Sequence, residues 1–381
     1  MKKLCVFLLC LLLVGCNAPQ TPQESTPATM PTTETAPPTE PPTEPPTDPL
    51  AELIDTMTTE EKVGQLFLSR YDRANAESHI STYHLGGLIL FAQDFQNQTP
   101  ASISQEIAHL QASSPIPLLM AVDEEGGTVT RISRYQAFRS QKFPSIRSLY
   151  NKGGTELLLQ TEAEKSQLLG SLGLNVNVGP VCDITTDPNA FMYSRSLGQD
   201  PDTTGSLIAQ MVQVMKENHI GSVLKHFPGY GNNVDTHVGI AVDRRSLEAL
   251  EAADLVPFRY GIGAGCDAIL ISHTIVTALD DTKPASLSPV VLDYLRTEMG
   301  FQGVAMTDDL VMEAITDAYG TGEAAVLAVL AGNDLLCSTE YVTQYKAVLA
   351  AVEDGRIPME RIDEAVYRVL TWKAKLGLLT L

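Results

Sequence analysis

The run KHFPGYGNNVDTH, residues 225–237, concentrates side chains that can bind polar groups or move protons. Lys225 and His226 open the run, and Asp235 and His237 close it. The proline and glycines between them disfavour a regular helix or strand, so a loop is predicted for the second half. Asp235 and His237 stand two residues apart, which in extended backbone turns both side chains the same way. The carboxylate would stabilise the protonated imidazole, so the pair can donate a proton and later take one back.

A further carboxylate, Asp308, follows the apolar run 303–306. A buried strand would carry this carboxylate to the end of a sheet, where it can attack the anomeric carbon of a sugar. Retaining glycosidases need such a nucleophile and a separate acid/base group, and Asp235 with His237 can act as that group. The alternative is that Asp308 or Asp309 caps the helix predicted for LVMEAI.

The same residue types also permit a metal site. Asp235 and His237 form a D-x-H pair, and Asp123 and His273 follow other apolar runs. Carboxylates and imidazoles are the ligand types of a metallohydrolase. Zinc sites more often show H-x-H or H-E-x-x-H spacing, and the chain contains neither. Proton transfer without a metal or other cofactor is the favoured interpretation, and the metal site is the alternative.

Short apolar runs predict the elements that position these side chains. Eight of them predict buried strands, at residues 63–68, 87–91, 118–122, 174–181, 222–225, 268–271, 303–306 and 334–337. Amphipathic segments of helical period, such as TEAEKSQLLGSLG, lie between most of them. Continuously apolar strands suit a parallel sheet covered by helices. Eight such units predict an α/β fold with a TIM-like (β/α)8 barrel, and a doubly wound open sheet is the alternative.

Ionisable residues follow five of the predicted strands. In a barrel of this type the active residues lie just past the C-terminal strand ends. We therefore expect these side chains to meet at one mouth of the barrel: Asp123, Asp183, Lys225 with His226, His273 and Asp308.

The N-terminus predicts export and anchoring. Two lysines precede an apolar stretch at residues 4–14, which is too short to span a bilayer that needs about 20 residues. Leu-Val-Gly-Cys at 13–16 is typical of a bacterial lipobox. Residues 1–15 are therefore predicted to be a lipoprotein signal, and Cys16 is predicted to carry the lipid that holds the protein on the extracytoplasmic face of the cell membrane. An ordinary secretory signal is the alternative.

The remaining chain divides by composition. Residues 16–49, rich in proline, threonine and glutamate, predict a disordered, extended linker, and residues 50–381 predict the catalytic barrel. A net charge of −20 argues against nucleic acid as a partner. Cys182, Cys266 and Cys337 are scattered singly among apolar residues, which predicts buried free thiols. A monomer is expected.

Six segments together resemble glycoside hydrolase family 3, and its β-N-acetylglucosaminidase branch in particular. They follow the order of that family from about residue 50 to the end of the chain: DEEGGTVTR, LGLNVNVGPVCD, SRSLGQDP, KHFPGYGNNVDTH, PASLS and MTDDLVM. The resemblance implies a TIM-like catalytic barrel and a retaining hydrolase of β-linked N-acetylglucosamine. It also implies a role for each matching residue. Asp308 is the nucleophile, and His237 supported by Asp235 is the acid/base. The sugar in the −1 subsite is held by Asp123, Arg131, Arg195, Lys225 and His226.

The chain departs from the family pattern at a few positions. Tyr230 stands where KHFPGHG has its second histidine, Glu124 replaces the glutamine of D-Q-EGG, and Thr128 replaces an arginine. The loop between Gly231 and Asp235 is one residue shorter than in well-known members, which bears on the reach of His237.

Several functions remain open at this point. The substrate can be a peptidoglycan fragment, a chitin-derived sugar or a host glycan. Some relatives with the dyad use phosphate in place of water, so a phosphorylase is an alternative. A non-catalytic, sugar-binding lipoprotein is the alternative from another class, and the strand-end carboxylates argue against it.

Overall fold

The computed structural model describes residues 48–231 and 241–380, and the segment Thr47–Leu381 forms one compact unit. The predicted signal, Cys16 and most of the predicted linker lie outside the described residues, as do Asp235 and His237. Within the described part of the chain, the strands are β1 Phe67–Arg70, β2 Gly87–Leu90, β3 Leu119–Val122, β4 Val176–Asn177, β5 Gly221–Phe227, β6 Val242–Asp243, β7 Ala268–Ile271, β8 Ile275–Val276, β9 Val304–Thr307 and β10 Leu336–Ser338.

Helices separate most of these strands. They are α1 Pro49–Thr56, α2 Thr59–Gln65, α3 Ala76–Tyr83, α4 Ala92–Phe95, α5 Pro100–Ala112, α6 Ile146–Ser171, α7 Pro201–Glu217, α8 Leu247–Ala252, α9 Leu255–Gly263, α10 Pro289–Thr297, α11 Glu313–Tyr319, α12 Thr321–Ala331, α13 Tyr341–Glu353 and α14 Met359–Lys375. None of the helices in residues 48–231 and 241–380 is both long and apolar enough to cross a membrane.

Eight strands pair in parallel to form a nearly closed barrel. Their order in the sheet is β10-β1-β2-β3-β4-β5-β7-β9. The two outermost strands come together where Met306 of β9 forms a parallel bridge with Leu335, the residue before β10. This confirms the predicted TIM-like barrel, and the open doubly wound sheet is wrong. β6 and β8 form a separate two-stranded parallel sheet.

The first predicted strand, 63–68, is wrong at its beginning. Residues 59–65 form α2, because Thr58 and Glu61 close a capping box on its first turn. Thr58 Oγ1 accepts from the Glu61 amide at 3.2 Å, and Glu61 Oε2 accepts from the Thr58 amide at 2.8 Å. The fourth predicted strand, 174–181, is also shorter than expected, since only Val176 and Asn177 form β4.

Alternate strand residues fill the barrel interior. Leu119 and Ala121 of β3 and Val304 and Met306 of β9 belong to one buried cluster, while the residues between them pack outward on the helices. Trp372 of α14 joins the interior cluster. The cluster forms an apolar layer beneath the side chains that follow the strands.

The cysteines of the barrel, Cys182, Cys266 and Cys337, are buried free thiols, as predicted. Burial raises the pKa of the Cys182 and Cys337 thiols well above its ordinary value and raises that of Cys266 as well. All three are therefore protonated at neutral pH and are poor nucleophiles.

Candidate active site

A cavity of about 860 Å³ opens at the C-terminal ends of the barrel strands. The alternation that fills the interior continues into this cavity, because Asp123 follows Leu119 and Ala121 on the inward face and Asp308 follows Val304 and Met306. Six of the predicted site residues line it: Asp123, Arg131, Arg195, Lys225, His226 and Asp308.

Lys225 is the buried cation at the centre of the site. Its Nζ lies 2.7 Å from Asp123 Oδ1 and 2.7 Å from Glu125 Oε1, and its side chain is only 3% exposed. Burial disfavours the ammonium, but Asp123 and Glu125 outweigh burial and raise the pKa of Lys225. The ammonium is thus charged, and it fixes the position of both carboxylates.

Glu125 is a site residue that was not predicted. Its oxygens accept from Arg195 Nε at 2.9 Å and Nη2 at 2.7 Å, in the two-pronged geometry that arginine favours with carboxylates. Burial favours the neutral acid, but Lys225 and Arg195 outweigh burial and lower the pKa of Glu125 strongly. Glu125 is therefore an anion that joins the two cations expected to hold the sugar.

The glycines after Glu125 turn the chain sharply. Gly126 has φ +102° and Gly127 φ +63°, in the region that favours glycine. A Cβ on Gly126 would lie 2.2 Å from the carbonyl oxygen of Pro144. Only glycine fits this approach, so the EGG sequence was the available signal that Glu125 sits at a special turn.

His226 is held between Asp183 and Arg195. Asp183 Oδ2 lies 2.8 Å from His226 Nδ1 and accepts from the His226 amide at 3.1 Å. Arg195 Nη2 lies 3.1 Å from His226 Nε2. Because an arginine only donates, Nε2 accepts and Nδ1 carries the proton that is donated to Asp183. His226 therefore aligns the Arg195 guanidinium.

Arg131 reaches the same mouth from the loop after β3. Its Nη2 is 3.5 Å from Asp123 Oδ2, and its guanidinium lies 5.3 Å from the centre of the Phe91 ring. Glu124 holds the backbone of this loop, since its carboxylate accepts from the Arg131 and Ile132 amides at 2.7 and 2.8 Å. Glu124 is fully buried, so this departure from the family pattern lies beneath the cavity and does not line it.

The adjacent carboxylates Asp308 and Asp309 have different surroundings. Asp308 Oδ1 accepts from the Asp309 amide at 2.9 Å. Asp309 ties the end of β9 to the end of β10, accepting from the Thr339 hydroxyl at 2.6 Å and the Thr339 amide at 3.2 Å. Helix α11 begins at Glu313 with Met312 at its N-cap position, so the alternative that either aspartate caps this helix is wrong.

His273 does not offer a ring nitrogen to the cavity. It is fully buried, with Nδ1 2.7 Å from Ser286 Oγ and Nε2 3.0 Å from the Asp309 carbonyl. Over residues 48–231 and 241–380, no group of three or more histidine, cysteine, aspartate or glutamate side chains has a metal-holding arrangement. The geometry thus gives no support to a metal ligand set that includes His273.

Comparison with known proteins decides the family. Residues 58–372 match the family described as glycosyl hydrolase family 3 N terminal domain. The chain belongs to glycoside hydrolase family 3. Among its relatives, this family 3 chain is 30% identical over 329 residues to the beta-hexosaminidase LpqI of Mycobacterium tuberculosis, covering 83% of each chain.

Solved structures agree with this assignment. A glycoside hydrolase family 3 β-N-acetylglucosaminidase from Paenibacillus sp. is 34% identical with a TM-score of 0.79, over 86% of this chain and 65% of that one. The structure of M. tuberculosis LpqI is 30% identical with a TM-score of 0.78, over 85% of this chain and 96% of that one. The predicted family is confirmed, and this family 3 chain is a glycoside hydrolase.

Tyr230 is where the family 3 chain departs from the pattern inside the site. It is 1% exposed and meets the His226 ring edge-on, with ring centres 5.2 Å apart. Its amide donates to Asp183 Oδ1 at 2.7 Å. With Val181 and Met192 it forms a small apolar cluster. The tyrosine thus supports His226 and the segment that carries Arg195.

Proposed function

We propose that the chain is a retaining β-N-acetylhexosaminidase that removes terminal β-linked N-acetylglucosamine. The observation that carries the proposal is Asp308 on the inward face at the end of β9, in one cavity with Asp123, Lys225 and Arg195. The names of its relatives, beta-hexosaminidase and β-N-acetylglucosaminidase, support this sugar as the substrate. They also favour a hydrolase over a non-catalytic sugar-binding lipoprotein.

Two displacements at the anomeric carbon make up the proposed reaction. In the first, an Asp308 oxygen bonds to the carbon while the glycosidic bond breaks, and His237 gives its proton to the departing oxygen. In the second, His237 takes a proton from water, the water oxygen bonds to the anomeric carbon, and the bond to Asp308 breaks. The sugar leaves with its original anomeric configuration. Asp235 is assigned to stabilise the protonated His237.

The charged cluster at the mouth suits the hydroxyl groups of a sugar. Asp123 can accept hydrogen bonds from hydroxyls, and Arg131 and Arg195 can donate to them. Asp123 is held by Lys225, and Arg195 is held by Glu125, so each side chain keeps its direction before the sugar arrives. Fixed polar groups of this kind lose little freedom on binding.

Release of p-nitrophenol from a panel of β-glycosides tests the function. We expect the β-N-acetylglucosaminide to be cleaved at least about 100-fold faster than the β-glucoside, which has a hydroxyl in place of the acetamido group. If the site binds the acetamido group as proposed, the β-glucoside would leave the polar groups that bind it unpaired. Each reaction is run with and without phosphate and with and without a chelator. Turnover that depends on phosphate and forms a sugar 1-phosphate would indicate the phosphorylase. Activity lost on chelation and restored by zinc would indicate the metallohydrolase.

The N-terminal segments complete the proposal. Residues 1–15 are proposed to be a lipoprotein signal, Cys16 the lipidated first residue, 16–49 a linker and 50–381 the catalytic barrel. The enzyme would then work as a monomer on the extracytoplasmic face of the membrane. Peptidoglycan fragments, chitin-derived sugars and host glycans are all substrates that it could meet there.

Replacing Cys16 by alanine tests the anchor. Since the thiol is the lipid acceptor, Cys16→Ala should move the protein from the membrane fraction to the medium or leave the signal uncleaved. Fractionation and gel mobility measure the change, with Cys182→Ala as the control that removes a thiol from the barrel. If Cys16→Ala fractionates and migrates like the unchanged chain, the lipidation is refuted.

A further inference from the structure

Arg147 of α6 holds the segment that carries Arg195. Its Nη2 donates to the Thr185 carbonyl at 2.8 Å and to Ser196 Oγ at 2.8 Å, and its Nε donates to the Ser196 carbonyl at 3.3 Å. The guanidinium also lies 4.0 Å from the centre of the Tyr193 ring. One side chain therefore fastens both ends of the segment 185–196, which connects β4 to α7.

The geometry requires an arginine. The planar guanidinium presents several donors in a rigid fork, whereas a lysine ammonium is a single point of charge that stacks less well on a ring. Gly198 leaves room for it, because a Cβ there would lie 2.2 Å from Arg147 Nη1.

The segment 185–196, which Arg147 holds, contains Arg195, the arginine proposed to bind the sugar. Arg195 immediately precedes Ser196, and the amides of Arg195 and Ser196 donate to the Met192 carbonyl at 3.0 and 2.8 Å. The Arg195 guanidinium then meets Glu125 and His226 in the cavity. Arg147 is absent from the described residues that line this cavity, whereas Phe191, Ser194 and Arg195 of the segment it holds do line it. Any effect of Arg147 on the sugar therefore passes through this segment, in which Arg195 is the charged residue at the cavity.

We propose that Arg147 is a positioning residue that sets the direction of the Arg195 guanidinium for sugar binding. The inference rests on the proposed function, in which Arg195 contacts the sugar. A contact made equally in the ground state and the transition state affects KM and leaves kcat unchanged. Loss of Arg147 is therefore expected to raise KM much more than it lowers kcat.

Arg147→Met is the central variant, and Arg139→Met is its matched control. Arg139 also stacks on an aromatic ring, Phe143 at 4.2 Å, and pairs with a glutamate, Glu164 at 3.0 Å. We expect Arg147→Met to raise KM about tenfold with kcat within about threefold. Arg147→Lys should restore part of the loss, and Arg139→Met should stay near the unchanged enzyme.

A double variant shows whether Arg147 acts through Arg195. In the Arg195→Met background, adding Arg147→Met should change kcat/KM by less than about twofold, because the residue that it positions is already gone. Effects of the two substitutions that multiply independently would overturn the proposal, and so would an equal change in the Arg139→Met control.

Hydrogen exchange gives a readout that needs no turnover. The Arg195 and Ser196 amides should exchange about tenfold faster or more in Arg147→Met than in Arg139→Met. If Arg147→Met does not fold, Arg147→Lys carries the same measurement with a smaller expected increase. Unchanged exchange at these amides overturns the proposal. If the chain cleaves no glycoside but Arg147→Met shows the faster exchange, the proposed function is contradicted. The conclusion that Arg147 holds the segment 185–196 in place would still be supported.

Discussion

Asp308→Ala is expected to abolish turnover with the fold retained, whereas Asp309→Ala should keep most of the activity. Asp308 continues the inward face of β9, so removing its carboxylate removes the proposed nucleophile and should lower kcat by about 10⁴-fold or more. The Asp309 carboxylate instead accepts from Thr339 and the Val311 amide. Its loss should cost about 1–3 kcal/mol of unfolding free energy and leave activity within about twofold of the unchanged enzyme.

A fluorinated glycosyl inhibitor locates the nucleophile directly. A 2-fluoro or 5-fluoro sugar slows the breakdown of the covalent intermediate, so the labelled peptide can be sequenced by mass spectrometry. We expect the label on Asp308. A label on Asp309 reverses the assignment, and a product released with inverted anomeric configuration, detected by NMR, removes the nucleophile role from both.

The different roles proposed for Asp308 and Asp309 could be predicted only in part from the sequence. Alternation along a strand predicts that only one of two adjacent residues faces the barrel axis, and Val304 and Met306 identify that face. What the alternation does not predict is the partner of the other carboxylate. Thr339 lies 30 residues away, and only barrel closure brings it to Asp309.

Glu125 was missed for the same physical reason. It stands beside Glu124 in the sequence, and residue type does not distinguish the two carboxylates. Arg195 is 70 residues from Glu125, and the buried cluster exists only when the ends of β3 and β5 and the segment after β4 meet at one mouth. The strand ends could be predicted because apolar runs are a local signal. Ion pairs between distant loops are not local.

The Asp235–His237 pair stays a prediction, because both residues lie outside the described part of the chain. Its neighbours in the sequence are placed, however. Lys225 contacts Asp123, and His226 contacts Asp183 and Arg195. The first half of the opening run therefore contributes to the cavity as expected. Tyr230, near the end of the first described range, is thus held by Asp183 and His226.

Glu125→Gln is expected to impair folding and sugar binding together. Glutamine keeps the shape but removes the charge that lies between two buried cations. Lys225 would retain Asp123, while Arg195 would be left without a carboxylate among the partners that the structure shows. Breaking a buried ion pair from one side costs about 3–5 kcal/mol. Because Lys225 also loses one of the charges that raise its pKa, and Arg195 loses its alignment, kcat/KM should fall about 100-fold or more.

The neighbouring Glu124→Gln provides the control, because it is the same chemical change one residue away. Glu124 accepts from two amides and the Ser133 hydroxyl, and a glutamine oxygen and amide can take over these contacts at a cost below about 1 kcal/mol. Urea unfolding and steady-state kinetics compare the two variants.

The pH dependence of the free energy of unfolding adds a second test with a definite sign. Since the folded chain lowers the pKa of Glu125, its stabilisation is present above the ordinary glutamate pKa of about 4.3 and declines as pH falls through the lowered value. The unchanged enzyme should therefore exceed Glu125→Gln in free energy of unfolding by a constant amount near neutral pH. This difference should become smaller only below about pH 4. Equal losses of stability and activity in Glu125→Gln and Glu124→Gln would contradict the role assigned to Glu125. A difference in free energy of unfolding that grows in acid would contradict it as well.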